Sequence, residues 1–164
     1  MPKLNICVVG LAKDFTDKVC SELANSLELY YANVEKILEF ELFDSANIEK
    51  VCGRDYLLKE QKSIIKRLCS YEDTLINLNY FNLNNDDTLN LVKNNCLLVY
   101  LHLDEKRFNS EIVNNGNNAI FDISLFLDRD KICMEEADIV VDCKDFNVDD
   151  VATLVAESII IYYA

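Results

Sequence analysis

The sequence predicts a three-layer α/β/α fold around a five-stranded, mostly parallel sheet, on three observations. Near-continuous apolar runs occur at Leu4–Gly10 (LNICVVG) and Cys96–Leu103 (CLLVYLHL), the pattern of strands buried on both faces. Segments with apolar residues at helical spacing lie between and around them. Strand and helix alternate along the chain, which implies right-handed crossovers and a sheet covered on both sides. At 164 residues, with no internal repeat and no Pro/Gly/Ser-rich linker, the chain reads as one domain.

Taken in order, Leu4–Gly10 is the first strand. The helix after it carries Val19, Cys20, Leu23, Ala24 and Leu27 on one side. Leu29–Ala32 reads as a short second strand, and Val34–Phe43 and Arg54–Ser70 as helices. Thr74–Leu78 is a strand, Asp86–Asn94 a helix and Cys96–Leu103 a strand. Ile139–Cys143 and Val148–Tyr162 close the chain as strand and helix. Phe108–Asn118 (FNSEIVNNGNN) favours turns over packing, so residues 108–119 read as a mobile, lid-like loop. The final Ile159-Ile160-Ile161-Tyr162-Tyr163 is apolar on more than one side, which suits a homodimer or protein-partner surface.

Composition narrows the function classes. Net charge is −13, with 16 basic residues scattered among 29 acidic ones, so no nucleic-acid groove is expected. No apolar run is long enough for a membrane span, and the N-terminus enters a strand directly, so neither a signal peptide nor an anchor is expected. The seven cysteines lack metal-ligand spacing and read as reduced thiols of a cytoplasmic protein. His102 reads as a strand-end residue rather than a base for Cys96, because a strand sends neighbours to opposite faces.

Three segments carry a resemblance. NICVVG at Asn5–Gly10, LLVYLHLD at Leu97–Asp104, and above all RDKICMEEAD at Arg129–Asp138 are similar to landmarks of the shikimate kinase family. The resemblance covers essentially the whole chain and implies the P-loop fold of nucleoside-monophosphate-kinase-like proteins, with an ATP- and Mg²⁺-dependent transfer of phosphate to a small hydroxy acid.

The residues that such a reaction needs are largely replaced. A working GxxxxGK[ST] loop uses its second glycine to wrap phosphates, its lysine to neutralise them and its hydroxyl to hold Mg²⁺. Here the register runs Gly10-Leu11-Ala12-Lys13-Asp14-Phe15-Thr16-Asp17, which puts Phe15, Thr16 and Asp17 at those three positions. Asp14 and Asp17 are expected to cap the helix from within, as N-cap and N3. Tyr31-Ala32-Asn33-Val34 stands where the family has its D-x-D carboxylates, and Leu57 where it has a substrate-gripping arginine. Asn79-Tyr80-Phe81 replaces a triple-glycine loop, its aromatics expected to fill the pocket, and Asn118–Phe121 replaces the lid arginine segment. Arg129 alone matches a functional position, the one that binds the substrate carboxylate in the family. Its alternative is an ion pair with Glu135, Glu136 or Asp138.

No catalytic residue, metal ligand or cofactor is therefore expected. The favoured expectation is a non-catalytic binding or regulatory domain. A divergent kinase using Lys13, Lys18 and Arg129 with ATP and Mg²⁺ is the second, and a carboxylate sensor built on Arg129 the third.

Overall fold

The computed structural model describes residues 5–42, 45–114 and 123–164. Among them five strands form one sheet: β1 (Asn5–Gly10), β2 (Tyr30–Asn33), β3 (Thr74–Leu78), β4 (Leu97–His102) and β5 (Ile139–Asp142). Their spatial order is β2-β3-β1-β4-β5 and every pairing is parallel, with Cys7 opposite both Ile76 and Leu98.

Alternation along the strands divides their side chains between two cores. Ile6, Val8, Leu75, Val99 and Leu101 pack beneath α1 (Lys13–Leu27) and α9 (Val148–Tyr163), meeting Val19, Leu23, Val151 and Val155. Cys7, Val9, Ile76, Leu78, Leu98 and Tyr100 face α2 (Val34–Leu42), α4 (Arg54–Cys69), α6 (Asp86–Asn95) and α8 (Ile123–Glu136). There they meet Leu38, Ile65, Val92 and Cys133. A one-residue slip of β1 would exchange Val8 with Val9 between the cores, so the register is strongly specified.

Four further helices are not evident from the sequence, α8 among them. α3 (Ser45–Cys52) precedes α4, and Gly53 divides them with φ 90°, a left-handed backbone that suits glycine. α5 (Tyr80–Leu83) is a single turn closed by a capping box between Asn79 and Asn82. α7 (Glu105–Asn114) corrects the loose-loop expectation, since residues 108–114 are helical. Asp104 Oδ1 accepts the Arg107 N–H at 2.7 Å, Arg107 pairs with Glu111 one turn on at 2.9 Å, and Phe108 stacks on Phe126 with centroids 4.6 Å apart. These contacts outweigh the turn preference of asparagine. Residues 115–119, and the Asn118–Phe121 stretch aligned with the lid arginine, lie outside the described residues.

α1 leaves β1 toward one core, whereas the chain after β3 leaves toward the other. Such a divergence opens a crevice at the carboxyl ends of the two strands, the usual ligand position in open α/β sheets.

Candidate functional site

That crevice is lined by Gly10, Lys13, Thr16, Asn33, Asn77 and Asn79, and its cavity measures about 30 Å³. A space of that size admits one or two waters at most. Three local features explain why it is so small.

The first is an early helix start. α1 begins at Lys13, leaving only Leu11 and Ala12 between strand and helix. Phe15, at the second-glycine position, is therefore the third residue of the helix. It is 3% exposed, buried among the α1–α9 contacts, with the Arg107 guanidinium 4.9 Å above its ring. Burying such a ring contributes roughly 1.5–3 kcal/mol, which favours winding these residues into helix over leaving them in an open loop.

The second is Thr16. Its backbone N–H and its hydroxyl both donate to the Ala12 carbonyl, at 2.9 and 2.8 Å. A Cβ placed on residue 10 would lie 2.0 Å from Thr16 Oγ1. Gly10 is thus required by the threonine that packs on it.

The third is Asp17, and here the capping expectation is corrected. The N-cap is Ala12, with no side-chain cap hydrogen bond, and Asp14 lies exposed in the first turn. Asp17 turns instead toward β2 and α2. Its Oδ1 accepts the Tyr31 hydroxyl at 2.5 Å and Asn33 Nδ2 at 3.3 Å, and its Oδ2 accepts Lys36 Nζ at 2.8 Å. Asn77 Nδ2 completes the chain by donating to the Tyr31 oxygen at 3.0 Å. Burial pushes the Asp17 carboxyl up, but the bonds from Lys36, Tyr31 and Asn33 together outweigh it and hold the group below the usual aspartate range. Burial, with the adjacent Cys20 and Asp17, raises the Tyr31 phenol well above its ordinary range. The polar groups at this end of the sheet are satisfied by one another.

The basic residues follow suit. Lys13 lines the crevice but pairs with Glu35 at 2.8 Å, and Lys18 is exposed. Leu57 is buried against the α4 core, and Arg54 begins that helix. Asn79-Tyr80 caps and opens the turn of α5, where the buried Asn82 donates to Gln61 Oε1 at 3.2 Å. Arg129 sits on α8 with its guanidinium 4.9 Å from the centroid of the Tyr80 ring, and it does not line the crevice beside Gly10. Of its expected partners, Glu136 pairs with Lys93 at 2.8 Å and Asp138 accepts the Leu98 N–H at 2.9 Å.

The sequence reading missed Tyr31, Asn33 and Lys36 as partners of Asp17, and Asn77 as the donor to Tyr31. From the sequence, Tyr31 and Asn33 show only the absence of the family's carboxylates. Their alternate positions on β2 put both on one face of the strand, and that was the available signal. Among the described residues no cluster of His, Cys, Asp or Glu is placed to hold a metal ion, and no helix is long and apolar enough to cross a membrane.

No protein-family model and no curated protein matches the sequence. Solved structures match the fold. Shikimate kinase from Acinetobacter baumannii, in complex with shikimate, superposes with a TM-score of 0.85 at 15% identity, covering 98% of this chain and 95% of that one. Shikimate kinase from Aquifex aeolicus gives 0.79 at 20% identity, over 95% of this chain and 96% of the other. The enzyme from Bacteroides thetaiotaomicron gives 0.79 at 9% identity, over 95% and 98%. The chain has a shikimate kinase-like fold.

Proposed function

We propose that this chain is a non-catalytic shikimate kinase-like domain, a binding or regulatory module whose phosphate turn has become packed helix. One observation carries the reading: Thr16 occupies the space over Gly10 and leaves about 30 Å³ of crevice. A triphosphate needs several backbone N–H groups arranged around a concave loop, a lysine and a metal-binding hydroxyl. Here Phe15 is in the core, Thr16 donates to Ala12, and Asp17 turns its carboxylate to Tyr31, Asn33 and Lys36. The residues present do not fit Mg-ATP.

Loss of one charge-stabilising group costs on the order of 10²–10⁵ in rate, so the replaced lysine alone would make a poor kinase. A thermal-shift titration with Mg-ATP tests the proposal. The melting temperature should stay fixed, whereas a ligand at 100 times its Kd would add about 2.7 kcal/mol. Saturable stabilisation would refute it.

A module of this kind acts through contact with another chain. The end of α9 supplies a surface, since Ile160, Ile161, Tyr162 and Tyr163 are each at least half exposed while Ile159 reaches the core.

A further inference from the structure

All seven cysteines of the chain are free, and two of them meet. Cys69 is the last residue of α4, and Cys96 joins α6 to β4. Their Sγ atoms lie 3.8 Å apart, which is contact distance for two sulfurs. A disulfide holds them at about 2.05 Å, so one further approach separates the contact from a bond. Both residues stand at helix ends, where the backbone yields more readily than in a helix interior.

Access sets this pair apart from the other thiols. Cys7, Cys20, Cys133 and Cys143 are buried, and Cys52 is exposed at the end of α3. Cys69 and Cys96 are half-buried, so a small oxidant reaches a thiol that already touches its partner. Cys69 is held above the ordinary thiol range by its bond with Cys96 and by burial. Cys96 is eased down by Cys69 but pushed up further by Cys7 and by burial. Thiols so held stay protonated at neutral pH, and since the thiolate is the nucleophile, they react slowly.

We propose that Cys69 and Cys96 are a redox modification site, forming a reversible disulfide when a hydroperoxide persists. One sulfur, deprotonated, attacks a peroxide oxygen, and the O–O bond breaks. That oxygen stays on sulfur as a sulfenic acid, while the other takes up the proton and leaves as water. The second sulfur then attacks the sulfenic sulfur, the S–S bond forms, and the S–O bond breaks. The remaining thiol proton departs with that oxygen as a second water. In sum, two thiols are oxidised and one hydrogen peroxide is reduced to two waters, and a dithiol reverses the bond by exchange.

The bond would tie the end of α4 to the start of β4 across β3, α5 and α6, between partners 27 positions apart. Cys96 directly precedes β4, so the pair lies at the amino ends of the parallel strands, the end opposite the crevice beside Gly10. The inference therefore goes beyond the proposed loss of phosphoryl transfer and does not depend on it.

The test treats the full chain, carrying Cys52→Ser to suppress cross-links between molecules, with millimolar hydrogen peroxide and then blocks the remaining thiols. The intact mass should show the loss of two hydrogens, and peptide mapping without reductant should join Cys69 to Cys96. The melting temperature should rise by roughly 5–15 °C, as expected for a loop of this length, and return with dithiothreitol. Cys69→Ser and Cys96→Ser, each confirmed as folded by circular dichroism, should lose the cross-link and the rise. Wild type treated alongside shows through Cys52 that the oxidant is active. Four results would overturn the proposal: both thiols still free when Cys52 has reacted, oxidation of either to sulfinic acid without a cross-link, pairing of Cys96 with Cys7 instead, or a cross-link that lowers the melting temperature.

Discussion

Thr16 Oγ1 lies where a side chain on residue 10 would have to begin, 2.0 Å from the Cβ position. The helix start and the strand end are therefore one packed unit, and the two residues are coupled. Gly10→Ala should destabilise the domain by about 1–3 kcal/mol through overpacking. Thr16→Ala should cost less alone and should relieve part of the Gly10→Ala penalty when combined. Urea denaturation of the four proteins reads the coupling, expected at about 0.5–3 kcal/mol. Strict additivity would show that the contact is not formed.

Phe15 makes the sharper contrast with a phosphate loop. Because it is 3% exposed in the core, Phe15→Ala should cost roughly 3–5 kcal/mol in the same assay. Phe15→Gly should cost about 1 kcal/mol more, for glycine within a helix. The triple change Phe15→Gly, Thr16→Lys, Asp17→Ser restores the motif letters, yet it should lower stability without conferring Mg-ATP binding. A stable, nucleotide-binding triple variant would count against this reading of the turn.

Asp17 predicts a pH dependence. Its native carboxyl titrates below the usual range, burial being outweighed by bonds from Lys36, Tyr31 and Asn33. A depressed acid contributes stability that is fully present above the unfolded-state value and is lost as pH falls through the native one. The stability difference between wild type and Asp17→Asn should accordingly be largest near neutrality and shrink in strong acid. Chemical denaturation across that range checks it, and a difference that grows toward acid would contradict the assignment. Tyr31→Phe removes the hydroxyl that joins Asp17 to Asn77, and it should cost about 1–3 kcal/mol.

The apolar end of α9 predicts association. Ile161 is 74% exposed, so Ile161→Asp should leave the denaturation midpoint nearly unchanged. It should lower the apparent mass in light scattering if copies of the chain pair through this helix, or abolish capture of a partner if they do not. A variant that retains both would remove α9 as the contact.

Much of the fold was legible because buried parallel strands leave a one-dimensional trace. Thr74–Leu78 and the runs around β1 and β4 are apolar enough that no tertiary knowledge is needed. The short α5 and the asparagine-containing α7 were not legible. Each depends on contacts that composition hides, the Asn79–Asn82 capping box in one case and Phe108 on Phe126 in the other. At the site, the replaced phosphate-loop residues could be read by identity alone. Their new partners could not. Asp17 looked like a helix cap from its spacing to Asp14, but β2 and α2 bring Tyr31 and Lys36 within reach, and a lysine with a tyrosine outcompetes backbone N–H groups. Likewise His102 reads from the sequence only as a strand-end residue, because its partner Asp130 lies 28 residues away on another helix.

The most direct test follows the backbone amides of Gly10, Lys13 and Thr16 while Mg-ATP is added to ¹⁵N-labelled protein. The account predicts that these resonances stay in place at concentrations that saturate ordinary kinases. A saturable shift at Gly10 and Thr16 would mean that the turn opens to admit a triphosphate, contrary to the packing of threonine on glycine.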